Sequence, residues 1–145
     1  MSQETHAHQL VVFTLGTEQY ALPIEQVHEI IRYDEPRSVA SRIEWVRGVI
    51  SLRGRIVPVY DLAARLQVSS ELTDRTKIVI VEAGSETAGV IVDDVEEVLT
   101  VEDDHFEDVP GADSELIDSI VKLEDRLVVL LRPSTIFGGM EAVAA

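Results

Sequence analysis

From residue 9 to residue 131 the chain is a succession of short apolar runs, rich in β-branched residues, each ended by a tight polar turn. QLVVFTL (9–15) stops at Gly16-Thr17-Glu18, and residues 19–22 return. Residues 48–52 stop at Arg53-Gly54, and residues 55–60 return. Residues 77–81 lead through Ala83-Gly84-Ser85-Glu86 into 87–92, and residues 117–123 lead through Glu124-Asp125 into 126–131. This punctuation leaves no room for long helices and predicts a chain of hairpins. About ten such strands in 145 residues, five to each half, fit a small barrel better than a sandwich sheet.

Between the hairpins the signals are shorter. Pro23 stands where a helical turn can begin, with Ile24, Val27 and Ile31 at helical spacing. Periodicity does not separate that turn from a strand over 27–31. Residues 33–41 read as a loop and 43–46 as a single helical turn at most. Asp61 is a good N-cap for a short helix over 62–66. The polar connector 68–75 is the best internal boundary, and residues 102–115 read as an acidic loop. Residues 133–137 read as a last helical turn before Gly138-Gly139. Residues 1–8 and 139–145 are expected to be tails, 1–8 a disordered one, around a domain of 9–138. Its approximate halves are 9–67 and 76–138, with terminal strands open to exchange between them.

Strand alternation gives two expected cores. Leu10, Val12, Phe13, Leu15, Ile50, Ile56, Val57 and Val59 are expected to pack one barrel or its seam. The other holds Ile78, Ile80, Val90, Val92, Ile120, Val128 and Leu130.

The formal charge is −15 and lies mostly in the second half. Residues 1–66 carry eight acids and seven arginines; residues 67–145 carry nineteen acids and five basic residues. Such a charge argues against general nucleic-acid binding and against an anionic membrane surface. Only Lys77 and Lys122 are lysine, so the basic side chains of the first half are all arginine, whose planar fork suits carboxylates. An acid surplus with so little lysine is also the pattern of a protein adapted to high salt, where screening relieves carboxylate repulsion. No apolar run approaches a membrane span. The absence of Cys removes disulfides, thiolate metal sites and cysteine nucleophiles.

Catalytic motifs are missing. Gly138-Gly139 lacks the Lys-Ser/Thr of a phosphate loop, and there is no Gly-x-Ser-x-Gly elbow. His6 and His8 lie in the polar tail, and His28 has Glu25 and Glu29 near it but no second His. Glu102, Asp103, Asp104, His105 and Glu107 share only their charge with a calcium loop. Asp93-Asp94 has no partner group of separated pKa. The expectation is no enzyme, no metal and no cofactor.

Residues 45–62 (WVRGVISLRGRIVPVYDL) resemble the signature of the CheW family of chemotaxis coupling proteins: a Gly-Val-x-Asn-Leu-Arg-Gly core, an apolar strand with Pro, then Asp-Leu. Phe13-Thr14-Leu15-Gly16, Tyr20-Ala21-Leu22-Pro23-Ile24 and Val27-His28-Glu29-Ile30 are similar to the family's opening. Residues 88–99 (AGVIVDDVEEVL) are similar to its Gly-x-x-Val-Asp-x-Val-x-x-Val stretch. Ser51 departs from the usual Asn of the core motif. The resemblance implies an all-β fold of two five-stranded SH3-like barrels packed side by side, with short helices. It implies a cytoplasmic adaptor that links chemoreceptor tips to the histidine kinase CheA and is recruited to membrane-associated receptor arrays. A same-fold scaffold in a pilus- or surface-motility pathway is the alternative. By match to the family motifs, Val27, Glu29, Arg47, Arg53 and Val98 would lie at or near the groove where a receptor helical hairpin docks. Val27 and Val98 would be apolar anchors, and Arg53 would meet receptor carboxylates or carbonyls. Gly48 and Gly54 read as hairpin residues needing special backbone angles.

Overall fold

The computed structural model describes residues 7–41, 44–111 and 116–133. The expected tails at 1–6 and 139–145, Ile43 and most of the last helical turn lie outside the described residues. Among the described residues there are eleven strands: β1 (Ala7–Leu15), β2 (Glu18–Pro23), β3 (Val27–Arg32), β4 (Val46–Leu52), β5 (Arg55–Asp61), β6 (Lys77–Ala83), β7 (Glu86–Val92), β8 (Asp94–Glu102), β9 (Phe106–Glu107), β10 (Ile117–Leu123) and β11 (Arg126–Leu131). The described residues also form two 3₁₀ turns, Ile24–Gln26 and Asp103–His105, and the helix α1 (Leu62–Leu66). Strand β1 begins before Gln9 and takes in His8. The ambiguous stretch after Pro23 contains both readings: a 3₁₀ turn, then a strand. The acidic segment after Glu102 is not wholly loop, because the Glu102 side chain and His105 form a capping box around a 3₁₀ turn.

The strands form two SH3-like barrels. The first sheet runs β8-β1-β2-β11-β10-β9 and the second β3-β6-β7-β5-β4. The first has five full strands and the two-residue β9. Most neighbours are antiparallel, but β2 runs parallel to β11 and β5 parallel to β7. The chain therefore leaves the first barrel after β2, builds the whole second barrel from β3 to β7, and returns as β8 beside β1.

Three apolar clusters follow from that path. Leu10, Val12, Ala21, Val101, Val121, Val128 and Leu130 fill the first barrel. Ile50, Val57, Val59, Ile78, Ile80 and Ile91 fill the second. Between them, Phe13, Leu15 and Leu22 of one sheet meet Val79, Val81, Val90 and Val92 of the other. Phe13 and Leu15 lie in the seam that the first expected set allowed for, while the division of the remaining residues into two sets is corrected. Leu10 and Val12 pack with Val128 and Leu130, Ile50 and Val57 pack with Ile78 and Ile80, and Phe13, Leu15, Val90 and Val92 lie in the seam. Alternation assigns a side chain to a face; it does not say which strand becomes the neighbour. Ile56 is not core but 68% exposed, because a period of two that turns Val57 and Val59 inward turns Ile56 outward. Ile120 is only half-buried.

The link between barrels is also polar. Asp93, between β7 and β8, accepts hydrogen bonds from the Gly16 amide at 2.7 Å and from Ser70 Oγ at 2.5 Å. Its own amide donates to the Thr14 carbonyl at 2.9 Å. This carboxylate ties the β1–β2 turn of one barrel to the exit of the other.

Candidate functional site

The candidate site begins at an irregular edge. Strand β3 is the outer strand of the second sheet and pairs with β6, with a register shift between Val27 and Glu29. Val27 stands opposite Val81 and packs on the seam cluster. Glu29 stands opposite Ile80. Ile30 stands opposite the seam residue Val79, yet it is exposed because no strand lies beyond β3.

The other edge of this sheet is the β4–β5 hairpin. At its tip Arg53 and Gly54 have φ of 51° and 81°. Positive φ at both central residues is what a two-residue type I′ hairpin requires, and Asn or Gly takes the first position more cheaply than Arg. A bulky residue in a sparse conformation points to use of its side chain. The Arg53 guanidinium forms a fork with the Glu29 carboxylate: Nη2 donates to Oε1 at 2.8 Å, and Nη1 donates to Oε2. The Glu29 side chain is 21% exposed and that of Arg53 is 69% exposed. The Arg53 hydrogen bond holds the Glu29 carboxyl below its ordinary pKa, and the same contact raises the guanidinium of Arg53. The pair is charged, and the outer side of the guanidinium faces water.

Val98 lies on β8, the edge strand of the first sheet, and is 52% exposed. It stands opposite Val11, which itself stands opposite the seam residue Leu22. Val98 is therefore on the seam-facing side of its sheet, as Ile30 is on the seam-facing side of the other. The Ile24–Gln26 turn crosses between β1 and β6, the inner neighbours of β8 and β3. Val27, Ile30 and Val98 thus border the seam from the two sheets.

Arg47 is elsewhere. It sits at the far end of the β4–β5 hairpin from Arg53, roughly 20 Å away along an extended strand. Its Nη2 and Nε donate to Asp61 Oδ2 at 2.9 and 3.0 Å. Asp61 Oδ1 in turn accepts from the Ala64 amide at 3.1 Å and caps α1, as its sequence position implied. So the structure joins Glu29 to Arg53, sets Val27 on the seam-facing side of the same strand, places Val98 on the other sheet, and leaves Arg47 holding a helix cap. Ile30 was missed by sequence reasoning. The signal was the pair Ile30-Ile31, of which only one side chain can point inward.

Gly48 has the special backbone angle expected of it and a steric reason besides. It lies inside β4, with φ of 148°, and a Cβ there would come within 2.1 Å of the Arg37 carbonyl oxygen. Arg37 and Val49 exchange backbone hydrogen bonds at 2.8 and 2.9 Å across this contact. Gly54 is the turn residue, with open space around it.

Among the described residues no group of three or more His, Cys, Asp or Glu is placed to hold a metal ion. None of the helices formed by those residues is long and apolar enough to cross a membrane. His28 Nδ1 lies 3.6 Å from Glu82 Oε2 on the surface. What the site presents is a fixed, outward guanidinium at the hairpin tip and, bordering the seam, the exposed aliphatic side chains of Ile30 and Val98, groups suited to docking another protein.

Comparison with known proteins agrees. A family model described as the CheW-like domain matches residues 9–140. The chain is 35% identical to the chemotaxis protein CheW of Bacillus subtilis over 127 residues, covering 84% of this chain and 81% of that protein. It is 31% identical over 84 residues to the protein PilI of Pseudomonas aeruginosa, covering 57% of this chain and 47% of that one. The crystal structure of the scaffolding protein TtCheW from Thermoanaerobacter tengcongensis matches with a TM-score of 0.82 at 31% identity, over 88% of this chain and 90% of that one.

Proposed function

Because this chain belongs to the CheW family, whose members are chemotaxis scaffolds rather than enzymes, we propose that it couples chemoreceptor tips to the histidine kinase CheA and permits receptors to control kinase activity. In this reading it works in the cytoplasm and is recruited to membrane-associated receptor arrays. The observation that carries the receptor half is the Arg53–Glu29 fork at the edge of the second sheet. Arg53 keeps most of its side chain toward water while Glu29 fixes its position, so it meets a partner already ordered and loses little side-chain entropy on docking. Val27, Ile30 and Val98 supply the apolar surface on which a helical hairpin would rest. Arg47 is proposed at the margin of the same contact.

The test is reconstitution. Receptor cytoplasmic fragments, CheA and this chain are mixed, and co-sedimentation and CheA autophosphorylation are read. Receptor-dependent control of CheA that needs this chain supports the reading. Kinase control that is the same without it, or binding to neither partner, overturns it. The likeness to PilI favours a second reading, a same-fold scaffold in a pilus- or surface-motility pathway. Preference for the receptor and kinase of that pathway in the same assay would select it.

A further inference from the structure

At the end of the first barrel a cavity of about 480 Å³ opens where the barrel interior reaches the surface. Its apolar wall is Leu10 and Leu130 of the barrel core, Phe106, which packs on that core, and Pro23. Barrel mouths are recurrent ligand sites because they offer an apolar floor with a few polar groups at the rim. The rim is mostly acidic. Glu25, Asp103, Asp108 and Asp118 line the cavity with His8 and Gln9, and among the described residues no lysine or arginine does. Asp103 meets His8 Nε2 at 2.6 Å, and Asp118 meets Arg132 Nη1 at 3.4 Å.

A second observation is independent of the charge. Ser119 also lines the cavity, is 6% exposed, and its Oγ has no hydrogen-bond partner. A buried hydroxyl without a partner is uncommon in native proteins and calls for a donor or acceptor from outside. Ser119 lies on β10 opposite Leu130, on the barrel's inner side.

We propose that this mouth binds an organic cation, a guanidinium on a short aliphatic stem. The stem covers Leu10, Pro23, Phe106 and Leu130. The guanidinium donates to the rim carboxylates and to Ser119 Oγ. A guanidinium fits better than an ammonium because it has five donors in a plane, enough for separated acceptors, and is more weakly hydrated, so entering a half-apolar mouth costs less. A bare metal ion would leave the apolar wall unused. Free arginine is disfavoured, since its own carboxylate would meet the acidic rim. The chemistry has two sources: an arginine side chain presented within a partner polypeptide, or a small free alkylguanidine without a carboxylate.

The test uses the full chain, ¹⁵N-labelled, titrated with n-butylguanidinium and, separately, with its neutral isostere butylurea. Saturable shifts confined to the amides around Leu10, Phe106, Ser119 and Leu130 are expected, with butylurea at least about tenfold weaker. Glu25→Gln with Asp108→Asn should weaken binding by about tenfold or more. Ser119→Ala should weaken it severalfold and, in the unliganded chain, leave the melting temperature unchanged or higher, since it removes an unpaired hydroxyl. N-acetylarginine N-methylamide and 4-aminobutylguanidinium separate the sources: tighter binding of the first supports a partner side chain, of the second a free ligand. Shifts that never saturate, shifts spread over acidic residues of both barrels, equal binding of butylurea, or variants that bind like wild type overturn the proposal. The cavity belongs to the first barrel and the Arg53–Glu29 fork to the second, so receptor and kinase binding are read independently of this result.

Discussion

The guanidinium of Arg53 and the carboxylate of Glu29 join the two edges of the second sheet. Glu29 belongs to β3 at one edge, and Arg53 to the tip of the hairpin that ends the other. Backbone hydrogen bonds do not link β3 to β5 or β4, so side chains close this part of the barrel. A charged side chain on an open strand edge also discourages unwanted strand pairing. The pair therefore has a local structural use and leaves the Arg53 guanidinium largely exposed for a partner.

Arg53→Glu should separate these uses. It sets two carboxylates side by side, and receptor-tip binding should fall by about 30-fold or more while CheA binding persists. Circular dichroism should retain the β spectrum, because Arg53 is largely exposed and an ion pair open to water contributes little to folding. A folded variant that binds the receptor tip like wild type would show that Arg53 serves only the hairpin. A folded variant that loses both partners equally would show that the two contact faces are not separable.

Glu29 makes stability acid-sensitive in a defined direction. Its folded pKa lies below the ordinary 4.5 because Arg53 donates to the charged form. The folded state therefore binds fewer protons than the unfolded state between those values. The contribution is fully present above pH 4.5 and is lost as pH falls through the depressed value. Thermal melts between pH 7 and pH 3 should show a shallower acid decline in Glu29→Gln than in wild type.

Tyr60 makes the opposite prediction at alkaline pH. Its ring is buried in the seam and its hydroxyl has no hydrogen-bond partner. Burial first, and the charge of Glu86 second, push its pKa from 10.0 up to about 12. The folded state holds the proton more tightly, so this contribution is intact below pH 10 and disappears as pH rises toward 12. Tyr60→Phe should flatten stability over that window. At pH 7 it should be neutral or stabilising by up to about 1 kcal/mol, since it removes an unsatisfied buried group.

Gly48→Ala should be severe. The new Cβ would collide with the Arg37 carbonyl, and φ of 148° is itself unfavourable for alanine. A loss of about 3 kcal/mol or more is expected in urea unfolding, together with faster hydrogen exchange at Arg37 and Val49. Gly54→Ala, with open space around it, should cost about 1 kcal/mol through backbone strain alone.

A net charge of −15 should make folding salt-dependent. Repulsion among the carboxylates of the second half is screened at high ionic strength. The melting midpoint should rise from low to molar KCl. Equal midpoints would mean that the acids are spaced widely enough not to matter, and would remove the high-salt reading of the composition.

The hairpins, the Asp61 cap and the all-β class are legible in the order of residues alone, because these depend on residues within a few positions of one another. Asp61 caps α1 through Ala64, three residues away, and Arg53-Gly54 makes its turn alone. The family motifs also made Glu29 and Arg53 candidates. Tertiary structure decided that these two touch, across 24 positions and two sheet edges. It also decided that Arg47 serves a helix cap, that Ile30 is left exposed, and that β8 returns to β1 to complete the first barrel. A strand's alternation encodes which face is apolar but carries no label for the strand beside it, so sheet partners are selected only when the whole chain buries its apolar faces together.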